Sequence, residues 1–122
     1  MTVACDILNE IEVDVALVSL YTMSGGPDVA LPYVMECTGL PADRIIISEV
    51  GLKTSEGEAQ YDRIYDWIDK AFELGVRLAY VWDIELTPDT YDTGYSIVDR
   101  ETGEWYPGMQ AVHDLNEKWR GQ

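Results

Sequence analysis

The run Arg44-Ile45-Ile46-Ile47-Ser48-Glu49-Val50-Gly51 sets three isoleucines ahead of a carboxylate and a glycine. A short apolar run bounded by turn residues reads as a buried strand of the kind found in parallel sheets. Desolvating a carboxylate costs several kcal/mol, so an acid where such a strand meets its loop points to use rather than accident. A second run, Arg77-Leu78-Ala79-Tyr80-Val81-Trp82, ends on an indole 33 positions after Glu49. That is the spacing of one strand-helix-strand unit. In a parallel sheet the carboxyl ends of the strands form the rim where ligands bind.

Working outward, Val13 to Tyr21 is nearly apolar on both faces and reads as a strand preceding these two. Before it, Val3, Ile7, Leu8 and Ile11 follow helical spacing without a clear capping residue, as expected of a helix whose start has been cut off. After it, Ser24-Gly25-Gly26-Pro27 marks a loop, and a helix is expected over residues 29–38, stopped at Gly39. Ser55-Glu56-Gly57-Glu58 forms a capping box ahead of a helix whose apolar face is Tyr61, Ile64, Tyr65, Ile68, Ala71 and Phe72, with Gly75 just past its end. An acidic loop follows from Asp83 to Thr93, then a hairpin over residues 95–105 turning at Arg100-Glu101-Thr102-Gly103. Pro107 opens a last helix facing inward through Gly108 or Met109, Ala111, Val112, Leu115 and Trp119. The order predicts an α/β protein with three parallel strands in a single domain over residues 1–122.

Composition removes several classes of partner. With 23 acids against 8 bases the formal charge is −15, which argues against nucleic acid and anionic membranes as partners. No apolar run approaches the ~20 residues of a membrane span. Cys5 and Cys37 lack CxxC spacing and a nearby His, so zinc is not expected, and both are expected as buried free thiols. The acids Asp83, Glu85, Asp89 and Asp92 fail the spacing of a calcium loop, and Gly25-Gly26 alone does not make a phosphate loop. Neither metal nor cofactor is expected. His113 falls off the apolar face of the last helix and is expected to be exposed.

Three rim residues coincide, because Tyr21, Glu49 and Trp82 end successive strands. Side chains alternate along a strand, which puts Glu49 with Ile47 and Ile45 on one face and Tyr21 with Ser19 and Leu17 on one face. If those faces point inward, carboxylate, phenol and indole converge on one pocket. The phenol can hold the carboxylate oriented, and the indole offers a flat floor for a sugar ring.

With these residues the chain resembles the C-terminal part of the retaining (β/α)8-barrel glycoside hydrolases of the cellulase-like clan. In that clan a nucleophilic Glu ends the seventh strand within a motif like Ile-x-Glu-x-Gly, matched by Ile47-Ser48-Glu49-Val50-Gly51. A Trp ending the eighth strand lines the subsite at the scissile bond, matched by Trp82. A Tyr ending the sixth contacts the nucleophile, matched by Tyr21. The stretch from Gly94 to Pro107 looks like the clan's hairpin before its last helix. The resemblance covers strand six to helix eight and implies a partial (β/α)8 barrel with a carbohydrate substrate. It makes Glu49 the catalytic residue and Trp82 and Tyr21 substrate-binding residues. Glu85, just past the third strand, is a further substrate-binding candidate.

Two positions depart from the pattern. A His commonly stands two residues before the sixth-strand Tyr, where this chain has Ser19. The clan's acid/base Glu follows an Asn on the fourth strand, and the matched region begins after that strand. Retaining hydrolysis uses two carboxylates about 5–5.5 Å apart, so the isolated chain is expected not to turn over glycosides. Sheet edges left open by missing strands are expected to drive self-association.

Plainer readings stand beside these. Glu49 could cap the next helix or pair with Lys53, Trp82 could close the end of the core, and Glu85 could be a solvated loop acid. The chain as a whole could be an autonomous α/β module that binds or self-assembles without catalysis, or a partial barrel completed by a second copy.

Overall fold

The computed structural model describes residues 12–21, 25–83 and 94–121. The expected helix over Val3 to Ile11, Cys5 and most of the acidic loop, Glu85 included, lie outside these. Three strands, β1 (Ala16–Leu20), β2 (Ile45–Val50) and β3 (Leu78–Val81), form a parallel sheet in the order β1-β2-β3. The helices of the described residues are α1 (Pro27–Thr38), α2 (Glu58–Glu73) and α3 (Pro107–Trp119). The α/β class and the three parallel strands are as expected from the sequence.

The residues gather into two compact units. The first comprises residues 1–49 and 70–80, centred on Leu20, Leu31, Cys37, Ile45, Ile47, Ala71 and Val76, all buried. Cys37 is disulfide-bonded and not the free thiol expected from its apolar neighbours. Spacing carries no information about a partner distant in sequence, and so the bond is not legible there. The second unit comprises residues 50–69 and 81–122, centred on Val50, Ile64, Ile68, Ile97, Ala111 and Leu115.

Several boundaries have local causes. β1 starts only at Ala16, because exposed Asp14 sits in a bend before it. Pro27 opens α1 behind Gly26 at φ 78°, two residues earlier than expected, and Gly39 at φ 71° closes it with its N–H on the Met35 carbonyl at 2.9 Å. After α2 the Gly75 N–H meets the Phe72 carbonyl at 3.0 Å and the Val76 N–H the Ala71 carbonyl at 3.0 Å, the Schellman pattern.

The start of α2 corrects the capping-box expectation. Thr54–Glu56 form a 3-10 turn, Gly57 follows at φ 60°, and the helix begins at Glu58. Tertiary bonds anchor this turn: Thr54 Oγ1 donates to the Ser96 carbonyl, and buried Gln60 donates to the carbonyls of Leu52 and Ser96, both at 3.1 Å. The expected hairpin contracts to a single antiparallel bridge, Val98 with Trp105. Its turn is held by the Asp99 carboxylate, which accepts from the N–H groups of Glu101 and Thr102 at 2.8 and 3.0 Å.

The two faces of the sheet differ. Ile45, Ile47 and Leu20 are fully buried on the covered face, whereas Leu17 is 68% exposed on the other. Ser19 is exposed there too. Parallel sheets normally have both faces covered, so a face that leaves Leu17 exposed stands out.

Candidate functional site

The candidate site is built at the carboxyl end of β1 and β2. Tyr21 is the residue after β1, and Glu49 is the fifth residue of β2. The Tyr21 hydroxyl donates to Glu49 Oε2 at 2.8 Å, and both side chains are half-buried. A phenol donating to one oxygen fixes the carboxylate plane while Oε1 takes no part in that bond.

One row further into the sheet, Ser19 Oγ and Ser48 Oγ lie 3.1 Å apart in a hydroxyl–hydroxyl bond. This pair corrects the expectation about faces. Ser19 shares the open face with Leu17, and its contact places Ser48 there as well, so Ile45 and Ile47 belong to the covered face. Strict alternation would send Glu49 beneath the sheet with the isoleucines. Tyr21, one residue past β1, reaches its carboxylate. Ser48 went unremarked in the sequence, although a hydroxyl interrupting an isoleucine run was the available signal.

Trp82 follows β3 in the second unit, half-buried, with its backbone N–H on the Val50 carbonyl at 2.9 Å. The Trp82–Asp83 peptide bond is cis. Asp83 is tied to the hairpin by two backbone bonds, its N–H to the Tyr95 carbonyl at 3.2 Å and its carbonyl from the Ile97 N–H at 3.0 Å. A Cβ on Gly51 would collide with the Trp82 carbonyl oxygen, so the glycine closing the Ile-x-Glu-x-Gly run is required by a backbone approach. Of the four sequence candidates, the structure brings Tyr21 and Glu49 into contact. Trp82 belongs to the other unit, and Glu85 lies outside the described residues.

Among the described residues no group of three or more His, Cys, Asp and Glu is placed to hold a metal ion, and no helix is long and apolar enough to cross a membrane. His113 is exposed, with its ring 5.7 Å from that of Trp105. Tyr61 and Tyr65, expected in the core, are half-buried and stack at 5.6 Å. Comparison with protein-family models, curated proteins and solved structures finds no match.

Proposed function

We infer that the chain is the nucleophile-side portion of a retaining glycoside hydrolase, built on strands equivalent to the sixth to eighth of a (β/α)8 barrel. The observation that carries this reading is the 2.8 Å bond from the Tyr21 hydroxyl to Glu49 at the carboxyl end of adjacent parallel strands. Such a bond orients a carboxylate for attack, as a nucleophile at an anomeric carbon requires. In the reaction Glu49 bonds to the anomeric carbon while the bond to the leaving oxygen breaks, and a second carboxylate outside the matched region protonates that oxygen. The resemblance assigns Trp82 the part of a sugar platform. The partner of the site is then a carbohydrate, and the open edges of β1 and β3 pair with further copies when the chain is alone.

The test exploits a substrate that needs no proton donor. A 2-deoxy-2-fluoro glycosyl fluoride loses fluoride without acid assistance, and its glycosyl group stays on the attacking carboxylate. Intact-mass and peptide mapping should find one glycosyl adduct on Glu49, absent in Glu49→Gln and slowed about tenfold or more in Tyr21→Phe, the scale of one charge-assisted hydrogen bond. Labelling elsewhere, or none across gluco-, manno- and galacto-configured reagents, would overturn the assignment.

A further inference from the structure

Glu49 has a second aromatic neighbour besides Tyr21. The Trp82 N–H bonds the Val50 carbonyl at 2.9 Å, and in a parallel ladder that bond sets Ile47 beside Leu78 and Glu49 beside Tyr80. Paired positions on neighbouring strands lie about 4.8 Å apart and point to the same face. Glu49 and Tyr80 are therefore side by side, and both belong to the first compact unit.

The cover over this face stops between the two strands. Ile45 and Ile47 of β2 are fully buried, whereas Leu78 is 42% and Tyr80 57% exposed on β3, the edge strand. Glu49 is half-buried at that boundary, with the Tyr21 hydroxyl on its Oε2 at 2.8 Å. A pyranose whose anomeric carbon meets this carboxylate is about as wide as the strand spacing, so it extends over a neighbouring strand. On the β1 side the neighbour on this face is Leu20, which is fully buried. The open direction is toward β3 and the exposed ring of Tyr80. An aromatic ring offers the C–H face of a sugar a flat apolar surface with a negative π-cloud. The Glu49 carboxylate beside it repels an acidic ligand, which leaves a neutral one favoured.

We propose that Tyr80 is the platform on which the ring of a neutral saccharide stacks while its anomeric carbon lies at Glu49. This rests on the reading of Glu49 as a glycosidase nucleophile, for which it supplies a substrate contact carried by the same compact unit. The two tyrosines then have separate tasks. The Tyr21 hydroxyl orients the carboxylate, and the Tyr80 ring holds the sugar.

Labelling of the full chain by the 2-deoxy-2-fluoro glycosyl fluoride, followed at rising reagent concentration, tests the platform. Tyr80→Ala should raise the half-saturating concentration about tenfold, the scale of one lost ring contact, and leave the limiting rate unchanged. Tyr80→Phe, which keeps the ring, should match the unmodified chain, and this separates lost stacking from lost folding. Tyr21→Phe should show the opposite pattern, a lower limiting rate at the same half-saturation. Unchanged half-saturation in Tyr80→Ala, an equal loss in Tyr80→Phe, or a fall in the limiting rate alone would overturn the platform. Saturation-transfer NMR with methyl glucoside, mannoside and galactoside reads binding without the nucleophile. Saturation that Tyr80→Ala removes and Tyr80→Phe keeps, in a chain whose Glu49 takes no label, would leave the platform and remove the nucleophile. Glu49 labelling that Tyr80→Ala does not affect would do the reverse. Where Glu49 takes no label, glycoside binding that is absent or indifferent to Tyr80→Ala would overturn both.

Discussion

At the scale of single residues, the Tyr61–Asp114 pair joins α2 to α3 through a 2.7 Å hydrogen bond from the phenol to Oδ2. The Tyr61 hydroxyl, helped by the Gln110 amide and His113, holds the Asp114 carboxyl below its ordinary value of 3.8. The same bond, with some desolvation, pushes Tyr61 from 10.0 up to about 12. A depressed carboxyl contributes stability that is present at neutral pH and lost as acid protonates it in the folded state. A raised phenol contributes below pH 10 and ceases to as the pH passes about 12. Urea unfolding of Tyr61→Phe should therefore show a deficit against the unmodified chain at pH 7, closing below the folded-state titration of Asp114 and again near pH 12. A deficit constant across that range would mean that the phenol contributes through packing alone.

At the scale of elements, Gln60 connects three of them. Its amide nitrogen serves the Leu52 and Ser96 carbonyls at 3.1 Å, and its oxygen accepts the Gly108 N–H at 2.9 Å, at the start of α3. The side chain is fully buried, and a Cβ on Gly108 would lie 2.9 Å from its Oε1. Gln60→Ala removes the side-chain partner of the Leu52 carbonyl and the Gly108 N–H, leaves the Ser96 carbonyl with the Thr54 hydroxyl, and should cost about 2 kcal/mol or more, read as a melting temperature several degrees lower. A drop within 1 degree would show that water replaces the amide without penalty. Gln60 was invisible as a core residue in the sequence, because its partners lie up to 48 positions away. The opposite holds for the end of α2, where Gly75 was legible because the Schellman turn uses only neighbouring residues.

At the scale of the whole molecule, 23 acids against 8 bases leave a surface on which two copies repel each other almost everywhere. The open sheet face is the exception. Leu17, Ser19, Ile46 and Ser48 contain no carboxylate, and Leu17 is more than half exposed. Self-association through this face and the adjoining edges should therefore strengthen with salt, which screens the repulsion and leaves apolar burial intact. Sedimentation velocity at increasing concentration should show larger species in 0.5 M than in 0.05 M salt. Leu17→Asp, at a position already 68% exposed, should abolish them without lowering the melting temperature. A single monomeric boundary at every salt concentration would show that the face does not self-associate.

The α/β class, the three strands, the end of α2 and the extent of α3 were determined by the sequence itself, through apolar periodicity and through glycine and proline punctuation. These are short-range effects, felt within a few residues along the chain. That Tyr21 and Glu49 stand at the ends of successive strands was also legible. Tertiary structure alone decided which face of the sheet is covered, because alternation gives two faces and no rule for choosing between them. It alone paired Ser19 with Ser48, moved the start of α2 to Glu58, bonded Cys37 and brought the Tyr21 hydroxyl to Glu49. Each of these depends on contacts between residues far apart in sequence, which local pattern does not encode.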